Sequence, residues 1–125
     1  MSASRTPEQR RDADSRGREG EAQAAMFLVQ QGWQVVAERV KTKAGEIDLI
    51  VRRTGLVAFV EVKWRARAAS LADAIDERRL KRVAAAVEGV WQDYATNGED
   101  IRIDVILLAP GRPPTHIENA WMPLG

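Results

Sequence analysis

Residues 45–63 read GEIDLIVRRTGLVAFVEVK. Apolar residues alternate on either side of Thr54-Gly55, a two-residue turn signal. The stretch therefore reads as a β-hairpin with strands over residues 46–52 and 56–64. With Thr54-Gly55 as the loop, Arg53 opposes Leu56, which sets Asp48 opposite Glu61 and Glu46 opposite Lys63. Ile47, Leu49, Val51, Ala58, Val60 and Val62 then form one apolar face. Glu46, Asp48, Glu61 and Lys63 share the other face with Ile50 and Phe59. Directly opposed carboxylates have Cβ atoms roughly 4.5–5.5 Å apart and repel each other. Asp48 and Glu61 thus need water or a cation between them. A hairpin with one wet face shows the same alternation, but Ile50 and Phe59 on the acidic face argue against a simply wetted surface.

Outward from the hairpin, residues 16–31 carry a helical period, and Gly32 is a C-terminal stop. Ala24, Ala25, Leu28 and Val29 make its apolar face. Glu21 falls near the middle of that face and should point toward a sheet. An unpaired carboxylate there would be costly, so the residue reads as a site group or as one half of a buried ion pair with an arginine. Residues 33–40 read as a first strand. A second helix lies within residues 71–95, with the stripe Leu80, Val83, Ala84, Val87, Trp91 and Tyr94 and with Ser70 or Asp73 as its cap. Asn97-Gly98 marks a turn, residues 101–109 a fourth strand, and residues 115–121 a last one. The order α-β-β-β-α-β-β, with a helix long enough for a crossover, predicts strands three and four parallel in a mixed sheet of an α/β fold, with helices packed on it. Residues 1–15 lack periodicity and read as a flexible tail. Residues 16–125 read as one domain, which suits a chain of 125 residues.

The composition narrows the chemistry. There is no Cys and one His, His116, which excludes disulfides, zinc–thiolate sites and multi-histidine metal sites. A metal would have to be held by oxygen, which points to a hard divalent ion such as Mg²⁺ or Mn²⁺. No apolar run is long enough to span a bilayer and none resembles a signal peptide, so a cytoplasmic protein with no membrane partner is expected. The net charge of +1 is unevenly spread: residues 39–82 hold twelve basic residues against six acids. Such a middle suits a phosphate-rich partner or a salt-bridged surface. Arg78, Lys81 and Arg82 lie off the apolar stripe and near the start of the second helix, where cations oppose the macrodipole.

Asp48 followed by Glu61-Val62-Lys63 on the next strand resembles the D…(D/E)xK signature of the restriction-endonuclease-like nuclease superfamily, whose core order is αβββαβ. More closely, the chain resembles the YraN family of small bacterial predicted endonucleases. The resemblance is carried by Gly20-Glu21, Gly45-Glu46-Ile47-Asp48-Leu49-Ile50, Phe59-Val60-Glu61-Val62-Lys63, Arg102-Ile103-Asp104-Val105 and His116-Ile117-Glu118-Asn119-Ala120. It implies that Asp48, Glu61 and the Val62 backbone carbonyl bind Mg²⁺ or Mn²⁺, that Lys63 positions the attacking water, and that Glu21 completes the site. It implies phosphodiester hydrolysis in DNA or, as the weaker expectation, RNA. Arg39, Lys41, Lys43, Arg65, Arg78, Lys81 and Arg82 are the expected nucleic-acid contacts. Cleavage of both strands would call for a homodimer. A binding protein that keeps the fold without the chemistry, and a protein-interaction module, are the competing readings.

The sequence departs from the family pattern at Trp64, where a small hydroxyl residue is expected, at Arg39 in place of Asn, and at Arg79 in place of Lys. Glu46 reads as a strand-edge partner of Lys63, Trp64 as a core residue, Asp104 as structural, and His116 as an ordinary polar residue.

Overall fold

The structure, a computed structural model, describes residues 7–65 and 75–121, with side chains from residue 17 onward. The described elements are α1 (Pro7–Gln30), β1 (Gln34–Lys41), β2 (Glu46–Arg53), β3 (Leu56–Trp64), α2 (Glu77–Tyr94), β4 (Asp100–Leu108) and β5 (Thr115–Ile117). They build a five-stranded mixed sheet in the order β1-β2-β3-β4-β5. β3 and β4 are parallel, joined through α2, and the other neighbours are antiparallel. This is the α/β arrangement expected of a restriction-endonuclease-like core. No helix among the described residues is long and apolar enough to cross a membrane.

The two faces of the sheet carry separate cores, because successive residues of a strand point to opposite sides. On one face Ile50, Val57, Phe59, Ile103 and Val105 pack against Leu80, Val83, Ala86 and Val87 of α2. On the other, Leu49, Val51, Ala58, Val60, Ile106 and Leu108 pack against Ala24 and Leu28 of α1. Gly20 lets α1 approach closely: a Cβ there would lie 3.4 Å from Leu108 Cδ1 and 4.0 Å from Val62 Cγ1.

Several boundaries differ from the sequence reading for identifiable reasons. α1 begins at Pro7 rather than near residue 16. Proline is well suited to a first helical position, and the polar turns that follow carry no apolar period to betray them. Residues 1–6 of the expected tail lie outside the described residues. Val29, expected on the buried face of α1, is exposed, since the contact face narrows to Ala24 and Leu28. α2 is capped by Asp76, whose carboxylate accepts from the Arg79 N–H at 3.1 Å. The alternative caps, Ser70 and Asp73, lie outside the described residues. β5 stops at Ile117, where Glu118 and Asn119 turn and Asn119 takes a positive φ of 52°. Trp64, expected in the core, is the last residue of β3 and is exposed.

The hairpin register is the expected one from Arg53↔Leu56 to Leu49↔Val60. There the ladder ends. Asp48 and Glu61 do not pair as strand partners, nor do Glu46 and Lys63. Alternation also breaks at this point: Ile47 packs with Ile50 on the α2 face instead of joining Leu49 and Val51. The neighbouring strand is irregular too. β1 shifts register between Val35 and Ala37, and Arg39 adopts φ +50°, a left-handed conformation that costs a non-glycine residue about 1 kcal/mol. The strands part where the carboxylates stand.

Candidate metal centre at the parted strands

Asp48 uses the gap to take over a backbone role. Its Oδ2 accepts the Val62 N–H at 2.8 Å, in place of the carbonyl that a continued ladder would have provided. Glu61, on the α2 side, accepts from Arg79 Nε at 2.9 Å through Oε1. Its Oε2 is buried with no hydrogen-bond partner among the described residues. From α1, Glu21 reaches the same place and accepts from Arg39 Nε at 2.6 Å. Glu46 stands two residues before Asp48 on β2. Carboxylate oxygens of Glu21, Glu46 and Asp48 all lie within 4.8 Å of one another. Groups from both faces of the sheet thus meet at one opening.

The electrostatics reflect this crowding. Burial pushes the Asp48 carboxyl up from 3.8 to about 7; the Glu61 and Glu21 charges push the same way, against the Val62 N–H and the Arg79 charge. Glu61 is raised as well, again chiefly by burial, although Arg79, a side-chain hydrogen bond with Asp48 and the Lys63 charge oppose the rise. Arg79 itself is held above its ordinary value: burial works against it, and the Glu61 carboxylate prevails. An all-oxygen donor set, two carboxyls resisting ionisation and one orphaned buried oxygen together fit a hard divalent cation.

Of the residues singled out in the sequence, Glu21, Asp48, Glu61 and Val62 do converge. Glu21 is ion-paired with Arg39 in a partly buried pair, and its carboxylate also lies beside Asp48. Lys63 differs from expectation. Its mostly buried side chain places Nζ 4.0 Å from Asp76 Oδ2, so the cap of α2 takes the partner role expected of Glu46. Glu46 instead joins the acidic cluster. The signal for this was its i−2 spacing from Asp48, which puts both on one face of a strand. Arg79, a departure from the family pattern, is aimed at Glu61 by the fold, and nothing in the one-dimensional sequence points it there.

The expected nucleic-acid contacts do not form one group. Arg39 is engaged with Glu21. Lys41, Lys43, Arg78, Lys81 and Arg82 are exposed. The loop between β1 and β2 abuts α2, since a Cβ on Gly45 would lie 3.8 Å from the Arg82 carbonyl oxygen. Lys43 and Arg82 therefore belong to neighbouring segments beside Glu46. Arg65 donates its backbone N–H to the Leu108 carbonyl at 2.8 Å.

A second polar constellation lies toward β5. Asp104, fully buried, accepts from Arg102 Nε and Nη2 at 2.8 and 2.9 Å and from the Asn119 N–H at 2.9 Å. His116 Nε2 lies 2.7 Å from its Oδ2. Burial would raise this carboxyl, but the bonds from His116, Arg102 and Asn119 outweigh it and hold the group below its ordinary value. The Arg102 guanidinium lies 5.5 Å from the Trp33 ring centroid, and the His116 ring packs edge-on to the same indole at 6.4 Å. The structural reading of Asp104 thus holds. His116 is more than an ordinary polar residue: it helps hold β5 to β4.

The model of the uncharacterised protein family UPF0102 matches residues 20–108. That span begins just before Glu21 and takes in every carboxylate of the opening. A UPF0102 protein of Erythrobacter litoralis is 60% identical over 114 residues, covering 91% of this chain and 98% of that protein. Another from Sphingopyxis alaskensis is 51% identical over 111 residues, covering 89% and 96%. One from Rhizorhabdus wittichii is 53% identical over 109 residues, covering 87% and 92%. With the family model matched over most of its length and relatives this similar end to end, the chain belongs to UPF0102, the YraN family.

Proposed function

We propose that this protein is a metal-dependent nuclease that hydrolyses phosphodiester bonds in nucleic acid, DNA in preference to RNA. The observation that carries the reading is the pair of adjacent buried carboxyls: Asp48 is raised to about 7, Glu61 is raised beside it, and among the described residues Glu61 Oε2 finds no donor other than a proton shared with Asp48. Two buried carboxyls side by side repel each other once both are ionised, and a divalent cation in place of the shared proton relieves that repulsion. Asp48, Glu61 and the Val62 backbone carbonyl would hold Mg²⁺ or Mn²⁺, with Glu21 and Glu46 adding negative charge beside them. When bound, the ion neutralises phosphate charge and makes a nearby water more acidic. Lys63 holds and orients the attacking water through its ammonium hydrogens, and Asp76 steadies that ammonium group. Lys41, Lys43, Arg78, Lys81 and Arg82 contact backbone phosphates, which gives binding that weakens with salt.

The Arg79–Glu61 ion pair favours a second reading, because it neutralises one carboxylate without any metal. In that reading the protein binds nucleic acid and does no chemistry. Cleavage assays with labelled DNA and RNA in Mn²⁺ separate the two. The nuclease reading predicts turnover that disappears in Asp48→Ala and Glu61→Ala. Turnover unchanged by both substitutions overturns it.

A further inference from the structure

Within the expected metal set, Glu61 already has a cation. Asp76 caps α2 and fixes the first turn of the helix, so that Arg79 extends back over the end of β3. The Arg79 Nε bond to Glu61 Oε1 joins a side chain 47% exposed to one only 8% exposed. One partner is therefore within reach of solvent ligands and the other is not. The bond satisfies one oxygen of Glu61; the second has no hydrogen-bond partner among the described residues beyond a proton shared with Asp48. Glu61 lies beside Asp48, though outside the group of Glu21, Glu46 and Asp48 whose oxygens all lie within 4.8 Å of one another. A guanidinium cannot give up its charge to make way for another cation. Arg79 on Oε1 and a divalent ion on Oε2 would therefore repel each other across one carboxylate, which loosens the hold of Glu61 on Arg79 once the ion is bound.

A purely structural arginine would be a weak solution here, since water screens an ion pair whose cation is about half exposed. The surrounding charge gives Arg79 another destination. Arg78, Lys81 and Arg82 are exposed on the adjoining turns of α2, at the helix end whose partial positive charge disfavours cations and favours anions. A phosphate oxygen there would meet a planar fork suited to it.

We propose that Arg79 is the counter-cation of Glu61 in the metal-free protein, and that it passes to a phosphate of the nucleic-acid substrate when a divalent ion takes Glu61. This rests on the metal-site reading above and assigns a substrate-binding residue to it. Arg79 thereby couples the two ligands. Metal frees the arginine for phosphate, and phosphate, by drawing the arginine away, strengthens metal binding; thermodynamic linkage requires the two effects to be equal.

The test is calorimetric titration of Mn²⁺ into the full chain, for wild type, Arg79→Gln and Arg79→Lys. It is paired with binding of a fluorescein-labelled DNA duplex in Ca²⁺ and in EDTA. Removing the competing charge should tighten Mn²⁺ binding at least about fivefold in Arg79→Gln, and Arg79→Lys should stay near wild type. The same Gln variant should bind DNA more weakly than wild type in Ca²⁺, and the difference should vanish in EDTA. Equal or weaker Mn²⁺ binding by Arg79→Gln overturns the hand-over while leaving the metal site standing. A DNA defect of the same size in EDTA overturns it too. Absence of Mn²⁺ binding in every variant overturns both the hand-over and the metal reading. If Arg79→Gln does not fold, Arg79→Met, which keeps the apolar stem, gives the same comparison.

Discussion

Asp48 Oδ2 accepts the Val62 amide hydrogen at 2.8 Å, beyond the point where the ladder between β2 and β3 ends at Leu49↔Val60. A side chain of one strand has replaced the backbone of that strand as acceptor for its neighbour. The strands can then diverge without leaving the Val62 N–H unsatisfied, and an unmade bond of that kind costs about 1–3 kcal/mol. The divergence creates the opening in which four carboxylates and Arg79 meet.

The opening should make the metal-free protein less stable as pH rises. Asp48 ionises near 7 when folded, against about 4 in an unfolded chain. Between those values the folded state holds a proton that the unfolded state has released, so stability falls with rising pH across that window. Denaturant unfolding in EDTA at a series of pH values should show the slope in wild type. Asp48→Asn, which keeps an acceptor for Val62, should be flatter. Identical slopes would mean that Asp48 is not the group responsible.

Glu46 belongs to the acidic cluster rather than to a pair with Lys63. Glu46→Gln should therefore weaken Mn²⁺ binding by of order tenfold, the usual effect of removing a supporting group, with little change in thermal stability. Calorimetric titration reads this directly, and unaltered affinity would remove Glu46 from the site.

Asp104 is the centre of a buried network with Arg102, His116 and Asn119, outside the group of Glu21, Glu46 and Asp48. Asp104→Ala strands the mostly buried Arg102 and removes the acceptor for the Asn119 N–H. A loss of about 3 kcal/mol is expected for breaking a buried charged network from one side. Mn²⁺ affinity of the folded fraction should be unaffected. A variant with wild-type stability would show that the network contributes little.

Arg39 combines a contact with a strained backbone. Both Arg39→Ala and Arg39→Gly lose the bond to Glu21, but only glycine relaxes the +50° φ. The glycine variant should be the more stable by about 1 kcal/mol. The reverse order in denaturant unfolding would show that the left-handed conformation carries no cost.

Much of this was legible in one dimension. Alternation and Thr54-Gly55 were enough to place the hairpin and its register up to Leu49↔Val60, and the length of the second helix implied the parallel pairing of β3 with β4. Glu21 could be aimed at the sheet from its place on a helical wheel. The failures cluster where regularity fails. Extending the ladder past Leu49 put Asp48 across from Glu61 and Ile47 on the wrong face, because periodicity assumes a strand that stays regular. Arg79 reaches Glu61 and Asp76 reaches Lys63 across a distance that no local pattern encodes, whereas Asp76 as the cap of α2 follows a local one. Pro7 opens α1 earlier than expected because its first turns have no apolar stripe.

Thermal unfolding in EDTA, Mg²⁺ and Mn²⁺ is the plainest measurement of whether Asp48 and Glu61 form a metal site. A ligand that binds only the folded state must stabilise it. Saturating Mn²⁺ should raise the midpoint of the wild type by about 4 °C or more and leave the Asp48→Ala/Glu61→Ala double variant unmoved. Equal midpoints in EDTA and Mn²⁺ for the wild type, with a double variant more stable than either, would contradict the account.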